Sequence, residues 1–243
     1  MRSSNPSLGK DTFYGLQAER GKMMTIQGTA NKTFILFLLL CTTALFTWYQ
    51  YFSGNNIQPL LWIGFLGGFV VALITIFVKK VAPYTAPLYA LLEGLAIGGI
   101  SAVFETQFAG ITTQAILLTL GTLFSLLFAY RSGLINVTAK FRLGIVAATG
   151  AIFFVYIVDF ILRFFGMGVP FIHETGIVGI LISVVIVIVA ALNLVLDFDF
   201  IEKGVEQRAP KYMEWYSAFG LMVTLVWLYL EMLRLISKIR SDK

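Results

Sequence analysis

The sequence predicts an all-α integral membrane protein with seven transmembrane helices. Three observations predict it. Apolar residues make up 58% of the 243 residues and charged residues only 13%, where a soluble domain carries about 25%. The mean hydropathy is +0.84. Seven apolar stretches reach or approach the ~20 residues that a helix needs to cross hydrocarbon. A soluble fold cannot hide this much apolar surface, so a bilayer must be the solvent for much of the chain.

The stretches are residues 33–52, 60–78, 87–104, 113–130, 144–165, 176–198 and 215–236. The third is the shortest and carries Glu93. The fifth carries Asp159 and Arg163, the sixth ends in the pair Asp197 and Asp199, and the seventh carries Glu231 and Arg234. Links such as SGNNIQP, KKVAPYTA and ETQFAGIT contain Gly, Pro and Asn, which stop helices. No link is long enough to separate domains. The reading is a tail at 1–32, one membrane domain at 33–236, and a short basic tail at 237–243.

Charge sets the orientation. Arg2, Lys10, Arg20, Lys22 and Lys32 precede the first span, and Lys79 and Lys80 follow the second. Arg131, Lys140 and Arg142 lie between the fourth and fifth, and Lys203, Arg208 and Lys211 between the sixth and seventh. The alternate links hold almost no Lys or Arg. The positive-inside rule therefore places the N-terminus in the cytoplasm of a multi-pass cell-membrane protein. Seven spans then put the C-terminus outside, against the rule for Lys238, Arg240 and Lys243. Seven full spans are the expectation despite that tail. The net charge of +5 is explained by topology, so no nucleic-acid partner is expected. The first apolar run starts too late and runs too long for a cleavable signal.

No HExxH, GxSxG, Walker loop or CxxC is present. The expectation is that the protein is not an enzyme and has no cofactor. Cys41 has no second cysteine to pair with, and it reads as a small apolar filler. His173 reads as a loop residue. The run Gly94 to Gly99 offers small residues for close helix contact.

The acids in the spans are the functional candidates, because a charge in hydrocarbon costs a few kcal/mol even on lenient scales. At 1.5 Å of rise per residue, Glu93 lies roughly 10 Å from the cytoplasmic side. Asp197 is near the same face. Asp159 and Glu231 lie roughly 23 Å from it, in the outer half. Each of these has a basic neighbour on its own helix face, Arg163 at i+4 and Arg234 at i+3. Both read as local ion pairs. Glu93 and Asp197 have no cation close by in sequence. Two carboxylates that share a desolvated site resist ionising together, which is the chemistry of a proton-operated switch.

Three stretches carry a family resemblance: APLYALLEGLAIGGIS, LNLVLDFDFIEKG (residues 192–204), and SAFGLMVTLVWLYLEMLRLISKIRSDK (residues 217–243). Together they resemble the Bax inhibitor family, specifically its bacterial YccA-like branch. That resemblance implies six helices wrapping a central C-terminal seventh. It implies a pH-modulated calcium leak in a bacterial inner membrane, with calcium as the transported ion. It also implies a sensor of two aspartates, on the sixth and seventh helices, and a basic latch at the end of the second. Asp197 matches the first aspartate and Lys79 the latch. A gapless match of residues 218–243 sets Thr224 at the second aspartate. A rival register, which lays LeuTyrLeuGlu onto the family's LeuTyrLeuAsp, would use Glu231. The depth of Glu231 favours Thr224, and Glu93 or Asp199 could then supply the missing carboxylate.

Asp197 is thus the expected gate and a weak calcium contact, with Glu93 and Glu231 as stations on a polar path. No tight metal site is expected, because calcium prefers six to eight oxygen ligands. The alternative is a regulator that does not transport and binds a membrane protease or other membrane partner through the N-terminal tail.

Overall fold

The computed structural model describes residues 23–168 and 176–241. Among them are seven helices: α1 (Ile26–Phe52), α2 (Gln58–Phe77), α3 (Ala82–Gln107), α4 (Ile111–Arg131), α5 (Ala139–Phe164), α6 (Ile177–Glu206) and α7 (Met213–Ser241). A 3-10 turn, Lys79–Val81, joins α2 to α3. All seven helices are long and apolar enough to cross a membrane. The protein is therefore an all-helical, multi-pass membrane protein in contact with lipid. Phe65, Phe69, Phe77, Phe124, Phe128 and Phe153 are among the many large apolar side chains left exposed on its flanks.

The helices extend beyond the apolar runs, because hydropathy marks the hydrocarbon-facing middle of a helix and not its ends. α1 begins at Ile26, before the run that starts at residue 33. Thr25 caps it, its side chain accepting from the Gly28 N–H at 2.9 Å. α3 begins at Ala82 and carries Pro87 inside it. Pro83 sits in the first turn, where a missing N–H leaves nothing unpaired. Thr138 caps α5 by accepting from Phe141 N–H at 3.1 Å. Gly110 starts α4 with φ 78°, a left-handed turn that suits glycine. The Glu105 carboxylate accepts from its N–H at 2.5 Å and from that of Thr112 at 3.0 Å.

α7 is the most buried helix. It packs chiefly against α6, α1, α4 and α3, while α2 rests mainly on α3 and α5 on α6. Its two ends stand at opposite faces of the bundle. Glu214 touches Thr25, at the start of α1. Arg240 donates to the Ala109 carbonyl and to Gln114 Oε1, each at 2.8 Å, beside the α3–α4 link. α7 is about 44 Å long at 1.5 Å per residue and crosses completely. The basic residues near its end are also accounted for: Lys238 is buried and donates to Gly179 O at 3.0 Å and Ser183 Oγ at 2.8 Å. The face with the α1 start, the α2 and α4 ends and the α7 start is called the basic face below.

A clasp closes the basic face. Met24 N–H donates to Ala209 O at 2.8 Å, and Met23 bridges Pro210. Glu214 is fully buried there. Its carboxylate accepts from the Thr25 N–H and hydroxyl, each at 2.9 Å, from Lys211 at 2.7 Å, and from Lys32. Gly28 lies so close that a Cβ on it would stand 2.1 Å from Glu214 Oε1.

Candidate functional site

The sixth helix carries the central carboxylate. Every residue from Asn193 to Ile201 is buried, so α6 is covered on all sides here. Asp197 is 2% exposed and Thr224 of α7 is 4% exposed. The structure brings these two together: the Thr224 hydroxyl, which donates to the Gly220 carbonyl of its own helix at 3.3 Å, also lies in hydrogen-bonding reach of the Asp197 carboxyl. Asp197 Oδ2 is buried with no hydrogen-bond partner among the described residues. An unsatisfied buried acceptor costs about 1–3 kcal/mol, so a proton on the carboxyl, a water or an ion is called for at this oxygen.

Asp199 is in a different situation, although it is only two residues on. Two residues turn a helix by about 200°, so its side chain leaves from the other face. There it pairs with Arg142 of α5 and with Lys203 at 2.7 Å. Glu93 is half-buried on α3 and faces α2: its Oε2 lies 3.0 Å from where a Cβ on Gly68 would stand. Lys79 sits in the turn after α2. Its ammonium lies 5.9 Å from the centre of the buried Tyr216 ring, on the first turns of α7. Asp159 pairs with Arg163 at 2.9 Å and Glu231 with Arg234 at 2.8 Å. His173 and residues 1–22 lie outside the described residues.

Three participants escape a reading by span. Tyr156 of α5 donates to Glu231 Oε1 at 2.8 Å and accepts from Arg234 at 2.5 Å. A phenol inside an apolar run was the available signal, since a buried hydroxyl needs a partner. Lys238 reads as a tail residue but is 5% exposed. Ser217 is 1% exposed, and its Oγ meets no partner among the described residues.

These residues form a pattern. Ser217, Thr224, Glu231 and Lys238 recur at every seventh position of α7, and all four are buried. Seven residues are almost two full turns, so the four lie along one slowly drifting face. The stripe is about 32 Å long at 1.5 Å per residue, which matches a hydrocarbon core of about 30 Å. α6 meets it with Asp197 at Thr224 and with Ser183 at Lys238. α5 meets it with Tyr156 at Glu231. Asn193, one turn before Asp197, reaches across to Thr149 of α5 at 2.8 Å. Polar side chains thus recur along the seam between α5, α6 and α7 at intervals of about 10 Å. No group of three or more His, Cys, Asp or Glu among the described residues is placed to hold a metal ion.

Fold and site together define a seven-span membrane protein whose most buried helix carries a polar stripe facing a buried, unsatisfied carboxylate. The family model described as Bax inhibitor 1 like matches residues 5–241, and the chain belongs to that family. No curated protein and no solved structure gives a significant match.

Proposed function

We propose that the protein is a pH-modulated cation leak, with calcium as the preferred cargo, and that it is not an enzyme. The observation that supports this reading most is the polar stripe on α7 with Asp197 set against it. Ionisable groups held inside the hydrocarbon, here Asp197, Glu231 and Lys238, mark a functional site by default. Asp197 would be the gate carboxylate. The lone pairs of its Oδ2 can take a proton or a passing cation, and its few neighbouring oxygens favour weak, transient calcium contact over tight binding. Lys79, stacked near the base of α7, would serve as the basic latch.

Lys238 would close the far end of the route. Its ammonium fills the stripe between α6 and α7 and repels a second cation there. The basic links favour the cytoplasm as the setting of the face that holds the α1 start. The cell membrane of a bacterium, as for the YccA-like branch, is the setting we infer.

The test is calcium entry into proteoliposomes loaded with a calcium indicator. Asp197→Asn, nearly isosteric, is expected to lower the flux at least several-fold or to abolish its dependence on pH. Unchanged flux with unchanged pH dependence removes Asp197 from the mechanism. Lys238→Met, which removes the charge but keeps the bulk, is expected to raise the flux. A flux equal to that of the parent would show that Lys238 is structural and does not gate.

A further inference from the structure

We propose that the cleft between α1 and α4 is a binding site for one phosphatidylethanolamine molecule of the leaflet at the basic face. α1 packs mainly on α3 and α7, and α4 on α7, α6 and α3, so the two helices stand apart with α7 as the floor between them. The resulting groove has a volume of about 530 Å³, within the range of about 300–1,000 Å³ usual for small-molecule sites. Its walls are apolar over most of their length, with Phe34, Phe37, Leu123 and Leu127 among them. A second apolar groove of about 240 Å³ continues it toward Trp48 and shares Phe37, Leu120 and Leu225 with it. A bilayer-facing groove of this shape fits an acyl chain.

The polar lining is at one end. Arg131, Tyr130 and Glu202 stand at the mouth, at the C-terminal ends of α4 and α6. Both charges are exposed there. Arg131 makes no ion pair among the described residues, and in particular none with Glu202. Glu202 accepts from the Tyr130 hydroxyl, and a carboxylate has capacity for further donors. An unpaired cation and an acceptor carboxylate at one mouth complement a zwitterion. The phosphate would lie on the Arg131 guanidinium and the primary ammonium on Glu202. Phosphatidylcholine has no N–H to offer Glu202. Phosphatidylglycerol would bring only negative charge and hydroxyls to it. This inference rests on the bilayer setting alone, so it stands or falls independently of calcium flux.

The probes are phosphatidylethanolamine, phosphatidylcholine and phosphatidylglycerol, all with palmitoyl and oleoyl chains. Each is added to the delipidated full-length protein in detergent, and bound lipid is counted by native mass spectrometry. The expected result is one tightly retained phosphatidylethanolamine, favoured over phosphatidylcholine about tenfold, the worth of one charge-assisted hydrogen bond. Glu202→Gln should erase that preference. Arg131→Gln should weaken retention of all three lipids. Leu123→Trp, which fills the groove, should lose the retained lipid while the thermal melt stays at the parent value. If Leu123→Trp melts lower, the two exposed polar variants decide the matter. Equal retention of phosphatidylcholine, tighter retention of phosphatidylglycerol, or a preference that survives Glu202→Gln would each overturn the proposal.

Discussion

Gly98→Leu is expected to be the most damaging single substitution in the protein. A Cβ at this position would stand 2.1 Å from the Ala44 carbonyl oxygen and 2.7 Å from its carbonyl carbon and Cα. Those are backbone atoms of α1, and they cannot move without moving the helix. One turn earlier, a Cβ on Gly94 would meet Thr43 Oγ1 at 2.1 Å and the Leu40 carbonyl oxygen at 2.3 Å. α1 and α3 therefore touch backbone to backbone at two points one turn apart. In lipid this closeness matters more than in water. Apolar side chains gain nothing by leaving the bilayer, so dispersion contacts across small residues hold helices together. Overpacking costs about 1–3 kcal/mol where side chains can yield, and here they cannot. A loss above about 3 kcal/mol is expected. It would be read as a melting temperature lower by about 10 °C, or as aggregation on fluorescence-detected size exclusion. Gly121→Leu is the matched control, since nothing lies within 4 Å of a Cβ there. Equal melting of the two variants would mean that α1 and α3 are not in backbone contact.

Glu214→Ala is expected to come second. Glu214 is fully buried, and it is the acceptor for the Thr25 N–H, the Thr25 hydroxyl, Lys211 and Lys32. Removing one partner of a buried pair costs about 3–5 kcal/mol. The side chains of Lys32 and Lys211 are 16% and 46% exposed, so they partly rehydrate and lower that cost. A loss of about 3 kcal/mol is expected from Glu214→Ala. Lys211→Ala should lose under about 1 kcal/mol, as exposed pairs do. Thermal melts of the two variants give the comparison. Equal losses would mean that the surface pair, and not the buried acceptor, holds the clasp. The clasp ties the start of α1 to the α6–α7 link, so the variant should also loosen the basic face.

Much of the fold is legible in the sequence because hydropathy is a local property. Each apolar run must lie in lipid wherever its neighbours stand, so the seven runs can be counted one at a time. The runs alone do not show where helices end, since caps such as Thr25 and Thr138 are polar and lie outside them. The glycines of α3 announce close packing, and only the structure names Leu40, Thr43 and Ala44 of α1 as what they pack against.

The site is less legible, for a geometric reason. Glu93 and Asp197 stand at similar expected depths, and depth is all that one helix can report. The structure turns Glu93 toward Gly68 of α2 and Asp197 toward Thr224 of α7. The seven-residue spacing of Ser217, Thr224, Glu231 and Lys238 was present in the sequence. It escapes a search for acids alone, because two of its members are hydroxyls and one is a lysine near the chain end.

By itself, then, the sequence determined that the chain crosses a bilayer seven times with acids in its spans. Length and hydropathy are sufficient for that. Only the tertiary structure decided which acid keeps an unsatisfied oxygen. Asp197 and Asp199 are chemically identical and two residues apart. The turn of the helix sends one toward Arg142 and Lys203 and the other toward the Thr224 hydroxyl. What a buried carboxylate can do depends on the side chains that neighbouring helices bring to it, and that pairing is a property of the packed bundle.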